Sequence, residues 1–252
     1  MLTRIDHPSD GAARPLLIAH GLFGSARNWG VIAKRLSDRG PVVAVDMRNH
    51  GDSPWTDSHG YDDLAADLAE VIEAMGAPMD VLGHSMGGKA AMVLALMQPS
   101  LLGKLVVADI APMAYGHSQM QYIDAMRAVD LSGIERRSDG EALLAPHVAD
   151  KGLRAFFLQS LDAAQKRWKL NLDVLAADMD RITGWPDTPG TFDGPALFLT
   201  GADSDYVPRS ARDQVRAQFP DARFASIPGA GHWLHAEKPR DFEAAVRVFL
   251  DL

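Results

Sequence analysis

An α/β fold, with helices on both faces of a mostly parallel sheet, is predicted by three observations. Short, wholly apolar runs alternate with amphipathic segments along the first 111 residues. The same alternation resumes at residue 195 and continues to the end of the chain. Between the two lies a block with helical spacing and no convincing strand. Apolar runs of this kind are strands buried on both faces, and the segments between them are the helices that cover them. The expected organisation is a core made of residues 1–111 and 195–252, with a helical lid at 112–194 inserted into it.

The elements follow in order. Residues 1–14 are rich in turn formers and offer at most one edge strand before Gly11. Residues 15–19 form the first buried strand and stop at His20-Gly21, and a helix is expected over 26–37. Residues 41–46 are a second buried strand, followed by a polar loop through Ser53. Leu64, Leu68, Val71, Ile72 and Met75 recur at helical spacing before Gly76, a residue suited to a left-handed helix stop. A strand over 79–82 leads into a glycine-rich turn, and a helix over 86–97 leaves it. Residues 105–109 are the next strand. In the block, helices are expected over 119–129, 140–149, 153–161 and 172–182. A strand over 195–201, a helix over 209–218, a strand over 223–227 and an amphipathic helix over 239–250 complete the chain. A helical block placed between two strands of one sheet covers the strand ends, where ligands of such sheets bind.

Composition narrows the possibilities. The 252 residues are 47% hydrophobic and 23% charged, in keeping with a packed domain. The net charge of −8 disfavours a nucleic-acid or anionic-membrane surface. No segment has the length of a membrane span, and the first eight residues hold no apolar run like a secretory signal, so a cytoplasmic location is expected. With no cysteine, disulfides, thiolate metal sites and cysteine nucleophiles are excluded. Neither common phosphate-loop pattern occurs, and no metal-ligand spacing is present.

The most informative stretch is Gly83-His84-Ser85-Met86-Gly87. It fits the G-x-S-x-G pattern, in which a serine is held on a strained strand-to-helix turn with its hydroxyl clear of the backbone. A serine hydroxyl needs a base nearby. Among nine histidines, His232 follows the last strand in the glycine-rich loop 228–231, which opens at the same sheet edge. It is the candidate general base. His235 reads as a solvated helix-start residue, His84 as pointing away from Ser85, and His20 as a brace for its own loop. An oxyanion hole needs two N–H donors. Met86, directly after the serine, is one, and Leu22 in the loop after the first core strand is the second, with Phe23 as an alternative. Asp46, Arg48 and Asp52 read as a hydrogen-bonded loop brace. His20, Phe156 and Trp185 are candidates for lining a substrate pocket, with packing as the competing role for Phe156, Phe157 and Trp185.

These motifs resemble those of the α/β hydrolases, and of bacterial esterases of the YbfF type in particular. The resemblance rests on His20-Gly-Leu-Phe-Gly-Ser25, Asp46-Met-Arg-Asn-His-Gly-Asp-Ser53, Gly83-His-Ser-Met-Gly-Gly88, Val107-Ala-Asp-Ile-Ala-Pro112 and Gly229-Ala-Gly-His232, which together span nearly the whole chain. It implies an α/β-hydrolase fold and hydrolysis of a small-molecule carboxylic ester or acyl thioester, through an acyl-Ser85 intermediate, with no metal or cofactor. One departure matters. The superfamily usually carries its acid three residues beyond the glycine ending the penultimate strand, and here that place holds Ser204. A neutral hydroxyl bond contributes about 0.5–1.5 kcal/mol, less than a carboxylate close to an imidazolium. Asp109, after the preceding strand, is therefore the candidate acid, as in some superfamily members. Asp203 and Asp205 are held in reserve, and Ser204 is a possible auxiliary or sole partner. Competing readings are a cofactor-free perhydrolase and a slow-turnover ligand-binding member of the fold. Haloalkane and epoxide chemistry is disfavoured, because those relatives carry a carboxylate at the position of Ser85.

Overall fold

The computed structural model describes all of residues 1–252. The chain runs β1 (Arg4–His7), β2 (Leu16–Ala19), α1 (Gly30–Leu36), β3 (Val42–Val45), α2 (Tyr61–Met75), β4 (Met79–His84), α3 (Met86–Met97) and β5 (Leu102–Ala108). The block follows with α4 (Met120–Ala128), α5 (Asp139–Leu144), α6 (Lys151–Phe157), β6 (Leu161–Asp162), β7 (Arg167–Trp168), α7 (Leu172–Ala177) and α8 (Met179–Thr183). The sheet then resumes with β8 (Ala196–Gly201), α9 (Ala211–Gln218), β9 (Ala222–Ile227), α10 (Leu234–Glu237) and α11 (Pro239–Asp251).

Seven strands form one sheet in the order β1-β3-β2-β4-β5-β8-β9. Only the edge strand β1 is antiparallel to its neighbour. Strands β2, β3 and β4 are buried at every residue, because helices cover both faces. Two apolar clusters result. The larger lies between the sheet, α2, α3 and the inserted block, and the smaller packs α1 and α11 on the other face. Phe157, Leu175 and Met179 of the block belong to the larger cluster, so the block shares the core of the sheet. The backbone of the segment after β7 is tied to the loop after β3: Gly51 N–H donates to Lys169 O at 2.8 Å and Asn171 N–H to Asn49 O at 2.9 Å.

The sheet and its helices follow the sequence expectation more closely than the block does, where the helices expected over 140–149 and 153–161 end at Leu144 and Phe157. The block contains strands after all, the antiparallel pair β6-β7. Each is two residues long, too short for a period-two pattern, and the turn between them places Lys166 at a positive φ of 51°, which a lysine does not announce. The single helix expected over 172–182 is broken at Asp178. There the carboxylate accepts the amide of His59 at 2.5 Å, a tertiary contact with no local signal.

Helix α3 runs close to the sheet. A Cβ at Gly83 would lie 2.2 Å from Gly87 O, and one at Gly87 would lie 2.5 Å from both Ala19 O and His20 O. These neighbours are backbone atoms of β2 and α3 and have little room to move. Gly87→Ala is expected to cost about 1–3 kcal/mol of stability by overpacking, read as a lower midpoint in urea denaturation. An unchanged midpoint would show that α3 can lift from the sheet.

Candidate active site

Five loops meet at the carboxyl ends of the strands, and each brings a residue singled out in the sequence. Ser85 follows β4, Asp109 follows β5, Ser204 follows β8, His232 follows β9, and the stretch from His20 to Phe23 follows β2. Register brings two of them side by side, since His84 pairs with Ala108 across β4 and β5. Ser85 and Asp109 are then the next residues of neighbouring strands. Both turn at once: Ser85 has φ 52° and Asp109 φ 53°. Positive φ is costly for residues with a Cβ and persists only where the surroundings over-determine it. Here Ser85 N–H donates to Ala108 O at 3.0 Å and Asp109 N–H to Leu199 O at 2.9 Å, so each strained residue is held by the adjacent strand.

Side chains from these loops form a continuous hydrogen-bond chain. His232 Nε2 lies 3.1 Å from Ser85 Oγ, and His232 Nδ1 lies 2.8 Å from Asp109 Oδ2. Asp109 is fully buried. Its Oδ1 accepts Gly201 N–H at 2.9 Å, and its Oδ2 also accepts the Ser204 hydroxyl at 2.5 Å. The carboxylate is thus supplied with donors on both oxygens, as a buried charge requires. With an anionic Asp109 accepting from Nδ1–H, the lone pair on Nε2 is left facing the serine. Asp203 and Asp205, the reserves, are exposed and make no bond to His232. The ring of Tyr206 stacks on His232 with centroids 3.8 Å apart, and Tyr206 O accepts the hydroxyl of Tyr115 at 2.8 Å.

On the other side of Ser85, a Cβ at Gly21 would lie 3.2 Å from Ser85 Cβ, so the loop after β2 runs directly against the serine. Leu22 N–H makes no hydrogen bond within the protein. Met86 is the first residue of α3, and its N–H has no partner one turn back in the helix. Phe23 is excluded as a donor. Its N–H is already donated to His50 Nε2 at 3.1 Å. His20 braces this loop from within, with Nδ1 at 2.8 Å from Gly21 O and Nε2 accepting Met47 N–H at 2.9 Å. Asp46 does the same from below, taking the amides of Ala26 and Asp52, while Arg48 pairs with Asp67.

A cavity of about 490 Å³ opens over Ser85, with His20, Leu22, Met86 and His232 in its wall, and the block contributes Tyr122, Phe156 and Phe157. Trp185 does not reach it. It packs against the larger apolar cluster instead, the competing role weighed for it in the sequence. His235 also differs from expectation. It is buried rather than solvated, stacked on Trp29 with centroids 4.2 Å apart. Two residues were not singled out in the sequence. Tyr206 carries no local signal, whereas Lys89 does: it is the only charged residue in an otherwise apolar α3. No group of side chains that could hold a metal ion is present.

The profile of the alpha/beta hydrolase family matches residues 16–245. The chain belongs to that family. It is 40% identical to esterase YbfF of Escherichia coli, over 94% of this chain and 93% of that protein. It is 39% identical to the sn-1-specific diacylglycerol lipase ABHD11 of Mus musculus, over 96% of this chain and 82% of that protein. Among solved structures it is similar to a marine microorganism esterase, with a TM-score of 0.92, 36% identity and coverage of 99% and 100% of the two chains. As in other α/β hydrolases, the site lies at the strand ends. No helix is long and apolar enough to cross a membrane.

Burial keeps several imidazoles around this α/β-hydrolase site neutral. It lowers His20 to about 4 and His50 and His235 to about 3, and holds His59 and His84 well below the ordinary value. In an unfolded chain the same groups take up protons near pH 6.5. Between that pH and about 4 the unfolded state therefore binds more protons, and stability falls as pH falls. Each such histidine contributes a slope of up to about 1.4 kcal/mol per pH unit. The urea midpoint should drop steadily from about pH 7 to about pH 5, above the range in which ordinary carboxylates protonate. A flat midpoint across that interval would mean these rings are charged in the folded protein.

Proposed function

We propose that the chain hydrolyses short- or medium-chain carboxylic esters, and acyl thioesters of similar size, through an acyl-Ser85 intermediate. The observation that carries this reading is the unbroken chain Ser85 Oγ, His232, Asp109, whose first two members line the cavity. Ester hydrolysis is also what the names of the relatives describe: an esterase and a lipase.

The geometry supplies each step. Ser85 Oγ attacks the ester carbonyl as its proton passes to His232 Nε2, 3.1 Å away. Negative charge develops on the former carbonyl oxygen, and Leu22 N–H and Met86 N–H are the donors that receive it. Each preorganised donor lowers the barrier by about 2.7–4 kcal/mol. Collapse of the tetrahedral species expels the alcohol, which takes the proton from His232. Water then enters, gives its proton to His232, and attacks the acyl-serine. A second collapse returns the proton to Ser85 and frees the acid. Asp109 holds Nδ1–H throughout and stabilises the imidazolium formed in each half-reaction. Ser204 donates to the same carboxylate oxygen as His232 and steadies it. The apolar part of the lining, with Leu22, Tyr122, Phe156 and Phe157, and the modest volume of the cavity suit a short or medium acyl chain. Residues 112–194 act as its lid.

Ser85→Ala should abolish both turnover of p-nitrophenyl butyrate and covalent labelling by a fluorophosphonate. Labelling that persists would move the nucleophile elsewhere. Asp109→Asn should lower kcat by about 10⁴-fold, as loss of the correct imidazole tautomer does in serine proteases, whereas Asp205→Asn should leave it within about threefold. The reverse pattern would assign the acid to the loop after β8. Ser204→Ala removes one of several bonds to Asp109 and should reduce kcat/KM by about tenfold or less.

A further inference from the structure

Lys89 is the only lysine or arginine among the buried residues of the protein. It stands one helical turn after Ser85, where its N–H donates to Ser85 O at 3.0 Å. Its ammonium donates to Thr183 O at 2.9 Å and to Gly184 O, and lies 4.7 Å from the centre of the Tyr115 ring and 5.6 Å from that of Tyr61. An ammonium has three protons, and these carbonyls take two. Carbonyl dipoles and ring faces solvate a cation without neutralising it. Although the chain carries 33 carboxylates in Asp and Glu, Lys89 makes no ion pair with any of them. Burial accordingly lowers its pKa to about 7. Lys89, Tyr61, Tyr115 and Thr183 all line the cavity that holds Ser85.

A buried ammonium with one proton left uncommitted, in the wall of a substrate cavity, is a partner for an anion from outside the chain. We propose that Lys89 is the recognition point for a carboxylate carried at the far end of the acyl group, so that the preferred substrates are half-esters or half-thioesters of dicarboxylic acids. This deepens the ester-hydrolase reading and rests on it. The acyl group is the part of the substrate joined to Ser85, and Lys89 sits on the same rigid helix. An acyl carboxylate therefore keeps its partner through both half-reactions, whereas one on the alcohol would depart with the first product. The competing role for Lys89 is structural, a cap on the last carbonyls of α8 and the residue after it.

The two roles separate in a comparison of substrates of equal length. Monoethyl glutarate and monoethyl adipate are set against ethyl pentanoate and ethyl hexanoate, with acid release followed by pH-stat titration. The wild-type kcat/KM for one of the half-esters should exceed that for its neutral counterpart by at least about tenfold. In Lys89→Met that ratio should fall to one or below, whatever becomes of the absolute rates. A wild-type ratio at or below one overturns the proposal, as does a ratio that survives in Lys89→Met. A second measurement needs no turnover: calorimetry on Ser85→Ala should show tighter binding of monoethyl glutarate than of ethyl pentanoate, and equal binding again overturns the proposal. If the wild type hydrolyses none of the four esters but Ser85→Ala keeps the binding preference, the hydrolase reading fails and the carboxylate site stands.

Discussion

The close approach of α3 to the sheet is the constraint from which the site follows. Gly83 and Gly87 let the helix start against β2 and β4, and the chain can make that turn only by driving Ser85 to a positive φ. The strain is local, and its cost is met by the packing of a helix whose residues are almost all buried. Its consequence is that Ser85 stands free of the ladder while the first amide of α3 stays close beside it. A relaxed turn would place neither.

The same device is repeated on the neighbouring strand. Asp109 is also at positive φ, also pinned through its N–H to the next strand, and it points a buried carboxylate along the same sheet edge. Donors from Gly201, Ser204 and His232 converge on its two oxygens. One carboxylate thereby joins the loops after β5, β8 and β9, so it is a structural node as well as a partner for the imidazole. The place at which many α/β hydrolases carry their acid is filled by a hydroxyl that supports this carboxylate. The carboxylate that meets the histidine follows β5, one strand earlier.

Around this node the protein gathers neutral imidazoles instead of apolar side chains. His20 and His50 each accept one backbone amide and sit beside one carbonyl, so they satisfy the buried backbone of the loops that carry Leu22 and Phe23. Burial suppresses their charge, and Lys89 is the one lysine or arginine buried in the cavity wall. A polar but uncharged scaffold holds the loops in place without competing electrostatically with His232.

The sequence alone determined the parallel core, because its strands are apolar runs too regular to read otherwise. It also placed Ser85, because G-x-S-x-G is a demand of local geometry, and His232 became a candidate through its position after the last strand. What it left open were matters of distance. Whether Asp109, Asp203 or Asp205 meets His232 depends on strand order, which sets β5 beside β8 and lets Asp109 reach across. The donor role of Phe23 and the choice between pocket and packing for Trp185 stayed open for the same reason: an amide's partner and a side chain's neighbours lie far away in the chain. The β6-β7 pair and the break at Asp178 likewise arise from tertiary contacts that no local pattern encodes. Residue identity settled which groups have the chemistry, and only the packing of the loops decided which of them touch.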